Sequence, residues 1–211
     1  MSKAKKQTST AHDIVILTII TVISGLLLGL VNNVTEEPIR QQEAKTKAAA
    51  MQTVFADADS FSDDMEFDAD KMAKALEDAG VSSTTVNTIN AALDADGNTI
   101  GYVLDVSNSE GYGGEVELMA GITTGDSMVL NGISFLTLDE TPGMGLKAKD
   151  EDEIAKYKDH AADELLTYTK TGASAPNEVD AISGATITTN AVVKCVNGAI
   201  TAVKTVEGGA S

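Results

Sequence analysis

The residues whose spacing carries the most chemistry lie in Asp180-Ala-Ile-Ser-Gly-Ala-Thr-Ile-Thr-Thr189. Ser183, Thr186, Thr188 and Thr189 stand just ahead of an apolar-striped segment through Ala191, Val192, Val193 and Val196 that reads as a helix. Hydroxyls beside the free N–H groups of a first helical turn, at the positive end of the helix dipole, make a place for a phosphate or another anion. The same hydroxyls can equally serve only as caps. Two further turns are rich in glycine: Gly111, Tyr112, Gly113 and Gly114 within Ser109–Gly114, and Glu140, Thr141, Pro142, Gly143, Met144 and Gly145, followed by Leu146. Glycine lets a backbone approach a flat ligand or adopt positive φ, so three such turns at strand and helix ends can line one pocket. Taken singly, each is also simply a turn.

The composition narrows what such a pocket does. The 211 residues hold 32 Asp+Glu against 15 Lys+Arg, for a net charge of −17. Phosphate neutralisation needs a basic surface, so nucleic acid is excluded as a partner. A hydrophobic content of 43% with clear periodicity argues for a packed core and against disorder. The single cysteine, Cys195, excludes an intramolecular disulfide, a CxxC pair and a thiolate-held iron–sulfur or zinc site. Redox chemistry here would therefore reside on an organic group or on a metal without thiolates. His12 and His160 lack metal-ligand company in the sequence and read as surface residues, so no metal site is expected.

Charge is unevenly spread, and its distribution implies a topology. No charged residue occurs from Ile14 to Thr35. Ile14 to Val31, at about 1.5 Å per residue and extended by a turn, matches a hydrocarbon core of about 30 Å. Residues 14–35 thus read as one transmembrane helix, with 1–13 as a cytoplasmic arm carrying Lys3, Lys5 and Lys6, and 36–211 as an extracytoplasmic domain holding 12 Lys+Arg and 31 Asp+Glu. A cleaved leader is the other reading of such a span. Leu28-Gly-Leu-Val-Asn-Asn33 offers no Ala-x-Ala-like site, which favours an uncleaved anchor. Gly25 and Gly29 have GxxxG spacing, suited to close helix contact and also common in any membrane span.

The elements that must position the turns follow from periodicity. Thr35-Glu-Glu-Pro38 reads as the start of a second helix after a short break, continuing through an Ala-rich run to Ala56. Asp57 to Asp70 reads as an acidic loop, followed by a short helix around Lys71 to Asp78. Val86–Leu93 and Thr99–Val106 flank a tight Asp/Gly turn, and Glu115–Ile122 and Met128–Leu138 flank another, predicting four antiparallel strands. A mostly polar helix from about Asp150 to Tyr168 and an apolar-striped one from about Asn190 to Val206 complete the chain. The expected fold class is α+β: a twisted antiparallel sheet with packed helices after one N-terminal membrane helix.

An N-terminal anchor, an acidic α+β domain, Gly-Tyr-Gly-Gly, Glu-Thr-Pro-Gly-Met-Gly, and Asp-Ala-Ile-Ser-Gly-Ala-Thr near the carboxyl end together resemble the FMN-binding G subunits of Rnf complexes. Those complexes are ion-translocating ferredoxin:NAD oxidoreductases of bacterial membranes. NqrC, a component of the sodium-pumping NADH:quinone oxidoreductase, shares the motifs. The resemblance extends from the anchor to about Val206, and its most specific part is the D-x-x-S-G-A-T element. It implies covalent FMN, joined by a separate flavin transferase through a phosphodiester to Thr186, with Asp180, Ser183, Gly184 and Ala185 completing the attachment motif. Thr188, the Glu140–Leu146 loop and Gly111–Gly114 are implied as the remaining flavin contacts, Met144 and Leu146 against the ring.

The implied activity is electron relay within a translocase, the other membrane subunits of the complex being the partners, with no residue acting as acid, base or nucleophile on a substrate. A membrane-anchored flavin sensor, or an accessory protein for extracellular electron transfer, would use the same attachment site. A non-redox binding or adhesive domain would explain the anchor and the acidity but would leave the three turns as coincidence.

Overall fold

The computed structural model describes residues 10–208 except residue 126. The lysines of the amino-terminal arm lie outside the described residues. The chain divides into two compact units, Met1–Lys45 and Thr46–Ser211.

Helix α1 runs over Thr10–Val54. It contains a wholly exposed window of mean hydropathy 2.8, long and apolar enough to cross a membrane. The break expected at Thr35 is absent. Rather than capping a new helix, the Thr35 hydroxyl donates back to the carbonyls of Val31, at 2.9 Å, and Asn32, at 3.3 Å. Pro38 sits inside the helix. One turn around it is braced by Glu37, which pairs with Arg40 and accepts Gln41 Nε2 at 2.9 Å, and good helix formers follow.

In the second unit a six-stranded antiparallel sheet runs in sequence order: β1 (Ser60–Phe61), β2 (Thr84–Leu93), β3 (Thr99–Asn108), β4 (Val116–Thr123), β5 (Val129–Leu138) and β6 (His160–Ala161). The four long strands match the two expected hairpins, whose side chains alternate between the sheet's faces. The β2–β3 turn closes as its composition predicts: Asp94 Oδ1 accepts the N–H groups of Asp96 and Asn98, and Gly97 has φ +81°. The edge strands β1 and β6, two residues each, and a separate parallel pair, β7 (Thr167–Thr169) with β8 (Glu178–Asp180), are additions to the expected set.

Helix α2 (Ala69–Asp78) is capped by Asp68, whose carboxylate accepts from Asp70 N and Lys71 N at 3.0 Å each. The long polar helix expected over Asp150–Tyr168 is absent; a 3-10 turn at Gly145–Lys149 is followed by the short α3 (Glu151–Ala155), β6 and β7. The run is polar on average, but Tyr157, Ala162 and Leu166 are buried, and that spacing follows the core surface and not a helical face. Helix α4 (Thr186–Glu207) begins four residues before the expected start.

One sheet face, formed by Ile89, Leu104, Val106, Leu118, Ala120 and Ile122, packs against Ala191, Val192, Val196, Ala199 and Ile200 of α4 in the main core. The opposite face receives the end of α1: Ala50, Val54 and Phe55 meet Ala92, Val103 and Met119 in a smaller core. Beside it, Asp105 is fully buried, accepting Lys47 Nζ at 2.5 Å and Asn87 Nδ2 at 3.0 Å.

Candidate functional site

Val116 at the start of β4 pairs with Leu138 at the end of β5, so the turn entering β4 and the turn leaving β5 lie side by side. They touch through backbone. A Cβ on Gly113 would fall 1.8 Å from the Asp139 carbonyl oxygen, so no side chain fits there. Helix α4 docks on the same end of the sheet, held by Lys194 Nζ to Glu110 at 2.5 Å and by burial of Cys195 against Val116.

A single carboxylate joins the three turns. Glu140 Oε1 accepts the Tyr112 N–H from the first turn at 2.9 Å and the Thr188 hydroxyl from the third at 2.9 Å. Glu140 itself belongs to the second and is only 9% exposed. A Cβ on Gly145 would lie 2.6 Å from both Glu140 Oε2 and Thr188 Oγ1, so this knot requires glycine there. Gly143 and Gly184 hold φ of +77° and +79°, where side-chain-bearing residues are strained.

Between the turns opens a cavity of about 500 Å³, lined by Tyr112 from the first, by Glu140, Thr141, Met144 and Gly145 from the second, and by Gly184 through Thr188 from the third. The volume suits a cofactor-sized ligand. Tyr112, Met144 and Ile187 on its rim are 72%, 47% and 52% exposed. Among the described residues they are the exposed large hydrophobics outside α1. Large apolar side chains exposed, among the described residues of an acidic domain, around one cavity are the pattern of a contact surface.

The first turn of α4 forms the polar end of the site. Its N-cap is Ala185, and no side chain caps it. Thr188 is committed to Glu140, and Thr189 donates to Ala185 O and accepts Ile182 N, both at 3.1 Å. The reading of these hydroxyls as helix caps therefore does not hold. Thr186, first residue of the helix and half-buried, lines the cavity with no hydrogen bond to a described residue from its hydroxyl. First-turn N–H groups without a cap beside a free hydroxyl are the donors a phosphate takes.

Several expected site residues stand back from the cavity. Gly111 and Gly113 shape the first turn against protein backbone, a Cβ on Gly111 meeting Gly114 O at 2.3 Å, and Gly114 holds a φ of +134°. Pro142 and Gly143 are exposed on the outer side of the second turn, and Leu146 packs on the main core. Asp180, ending β8, accepts Ala173 N at 2.6 Å, and Ser183 is exposed. Ile187 lines the cavity although sequence reasoning does not single it out; starting the helix at Thr186 would place it beside that threonine. His160 bridges Lys156 O and Pro176 O at 2.7 Å each, and burial pushes the Cys195 thiol pKa upward. Among the described residues no grouping of His, Cys, Asp and Glu is arranged to hold a metal.

Residues 111–201, which include all three turns, match the family model of the FMN-binding domain. The G subunit of a proton-translocating ferredoxin:NAD(+) oxidoreductase complex from Clostridium ljungdahlii is 32% identical over 99% of this chain and 100% of its own length. Its counterpart in the Na(+)-translocating complex of Acetobacterium woodii is 30% identical over 86% of each. The chain belongs to this family of G subunits. Among solved structures, NqrC of Shewanella oneidensis aligns with a TM-score of 0.48 at 18% identity, over 59% of this chain and 61% of that one. The family's FMN-binding domain thus begins at the first glycine turn and ends within α4.

Proposed function

We propose that this chain is the FMN-carrying electron-relay subunit of a membrane-bound, ion-translocating ferredoxin:NAD oxidoreductase complex, its flavin held by a phosphodiester to Thr186. The carrying observation is the free Thr186 hydroxyl on an uncapped helical turn, opening into a cavity whose rim holds the domain's exposed Tyr112, Met144 and Ile187. The residues present fit FMN: the α4 N-terminus takes the phosphate, and the apolar rim takes an aromatic ring against which a thioether packs well. When bound, the flavin supplies a site that holds and passes electrons. The chain's residues hold it, orient it and shape its field. Asp180 and Ser183, set back from the cavity, are left as features for the flavin transferase to recognise. Helix α1 anchors the domain, with the acidic part outside, as the lysine-bearing arm and the positive-inside rule favour. The neighbouring membrane subunits of the complex then serve as electron donor and acceptor.

The test is Thr186→Ala in chain produced together with a flavin transferase. Wild type should carry one FMN by intact mass and keep its fluorescence on a denaturing gel. The variant should fold with an unchanged circular dichroism spectrum and lose all covalent flavin, because a half-exposed hydroxyl contributes little to stability. Flavin retained by the variant on the denaturing gel would refute attachment at Thr186.

A further inference from the structure

Glu140 does more in this cavity than one contact. Both of its hydrogen bonds fall on Oε1, from Tyr112 N–H and the Thr188 hydroxyl. Oε2 receives no hydrogen bond from a described residue, yet it is not a buried atom without a partner, so it opens onto the cavity that Glu140 lines. A carboxylate more than nine-tenths buried that leaves one oxygen unshared toward a cavity is built to receive a donor from whatever occupies it. No lysine or arginine stands among the lining residues, and Glu140 is the one acidic side chain there. Its carboxylate is therefore the one Asp, Glu, Lys or Arg group that lines the cavity, in surroundings that screen charge less than water does.

We infer that Glu140 is the positioning and charge-setting residue of the flavin cavity: Oε1 clasps the first turn to α4, and Oε2 offers a negatively charged acceptor to an N–H or O–H of the bound flavin. This rests on the reading that FMN occupies the cavity. A carboxylate fixed beside a bound flavin would oppose any added negative charge on the ring. Glu140 thus lowers the flavin's midpoint potential. The clasp and the charge are separable. Glu140→Gln keeps an acceptor oxygen of the same reach for Tyr112 and Thr188 and removes the charge. Glu140→Asp keeps the charge and is one methylene too short for the clasp.

The experiment compares full-length wild type with Glu140→Gln, Glu140→Asp and Glu140→Ala, each produced with a flavin transferase. The readouts are intact mass, visible circular dichroism of the flavin, and midpoint potential by spectroelectrochemical titration. In Glu140→Gln the dichroism should match wild type while the oxidised-to-reduced ratio at fixed ambient potential shifts about tenfold toward reduced, about 30 mV for a two-electron couple. In Glu140→Asp the potential should stay near wild type and the dichroism should change. In Glu140→Ala both should move, and if Glu140→Gln fails to load flavin, the potential of Glu140→Ala decides in its place. An unmoved potential in the neutral variants, or an equal shift in Glu140→Asp, overturns the inference while covalent flavin in wild type leaves the proposed function standing. Wild type without flavin overturns both.

Discussion

The two faces of the sheet are closed by different means. Toward α4, β3 and β4 present Leu104, Val106, Leu118 and Ile122, all fully buried, and the helix answers with small and branched apolar residues. Toward the end of α1 the same two strands present Gly101, Val103 and Asp105 and, beside them, Gly121, Met119 and Glu117. There the backbone itself comes close: a Cβ on Gly121 would lie 2.3 Å from Val54 O, and one on Gly101 would lie 2.6 Å from the Phe55 ring. One face is held by apolar area, the other by close approach and a buried charge pinned by Lys47. The first tolerates no loss of volume, the second no gain.

Leu118→Ala on the α4 face should have the largest effect on stability. A fully buried leucine truncated in a packed core costs about 2–5 kcal/mol, and denaturant titration of the detergent-solubilised chain should show it. Gly121→Ala adds one carbon on the opposite face and should cost less, about 1–3 kcal/mol by the same titration, because the end of α1 has to move outward. If Gly121→Ala cost as much as Leu118→Ala, the contrast between the faces would be lost.

The smallest expected effect is a dependence on pH. Burial raises the pKa of Glu117 above 4.5; the Thr137 hydroxyl, donating at 2.7 Å, works against this, and the Asp105 carboxylate adds to it. Because Glu117 holds its proton more tightly in the folded state, its contribution is fully present below pH 4.5 and is lost as pH rises through the folded pKa. Glu117→Gln, neutral throughout, should flatten that decline, with a melting temperature that falls less than wild type's as pH is raised from about 4 to about 7. Parallel curves for the two proteins would show that burial and the Asp105 carboxylate do not oppose the ionisation of Glu117.

What the sequence made legible followed from local pattern. The long strands keep a period of two between local register shifts and carry their own turn residues, so both hairpins could be read with ends shifted by no more than two residues. The short strands β1, β6, β7 and β8 have too few residues for any period and exist through pairing with distant chain. Thr35 failed as a cap because a threonine hydroxyl can return to the preceding turn's carbonyls as readily as it can start a helix. In the candidate site, hydroxyls and glycines identified the three turns, and the early start of α4 was hidden by the β-branched threonines at its head. Of these, Thr188 is committed outside the helix ladder, to Glu140 in another turn. The knot at Glu140 could not be read at all, since nothing local in residues 112, 140 and 188 predicts that they meet.

That knot also sets an order of assembly. The four long strands form a meander of neighbours, each pair closing over a short loop, whereas the contacts made by Glu140 close spans of 28 and 48 residues. Spans of that length are the slow events of folding. Until α4 has docked and Thr188 has reached Glu140, the three turns are separate loops with no enclosed space between them. The cavity thus forms with the long-range contacts of the fold and not with its hairpins.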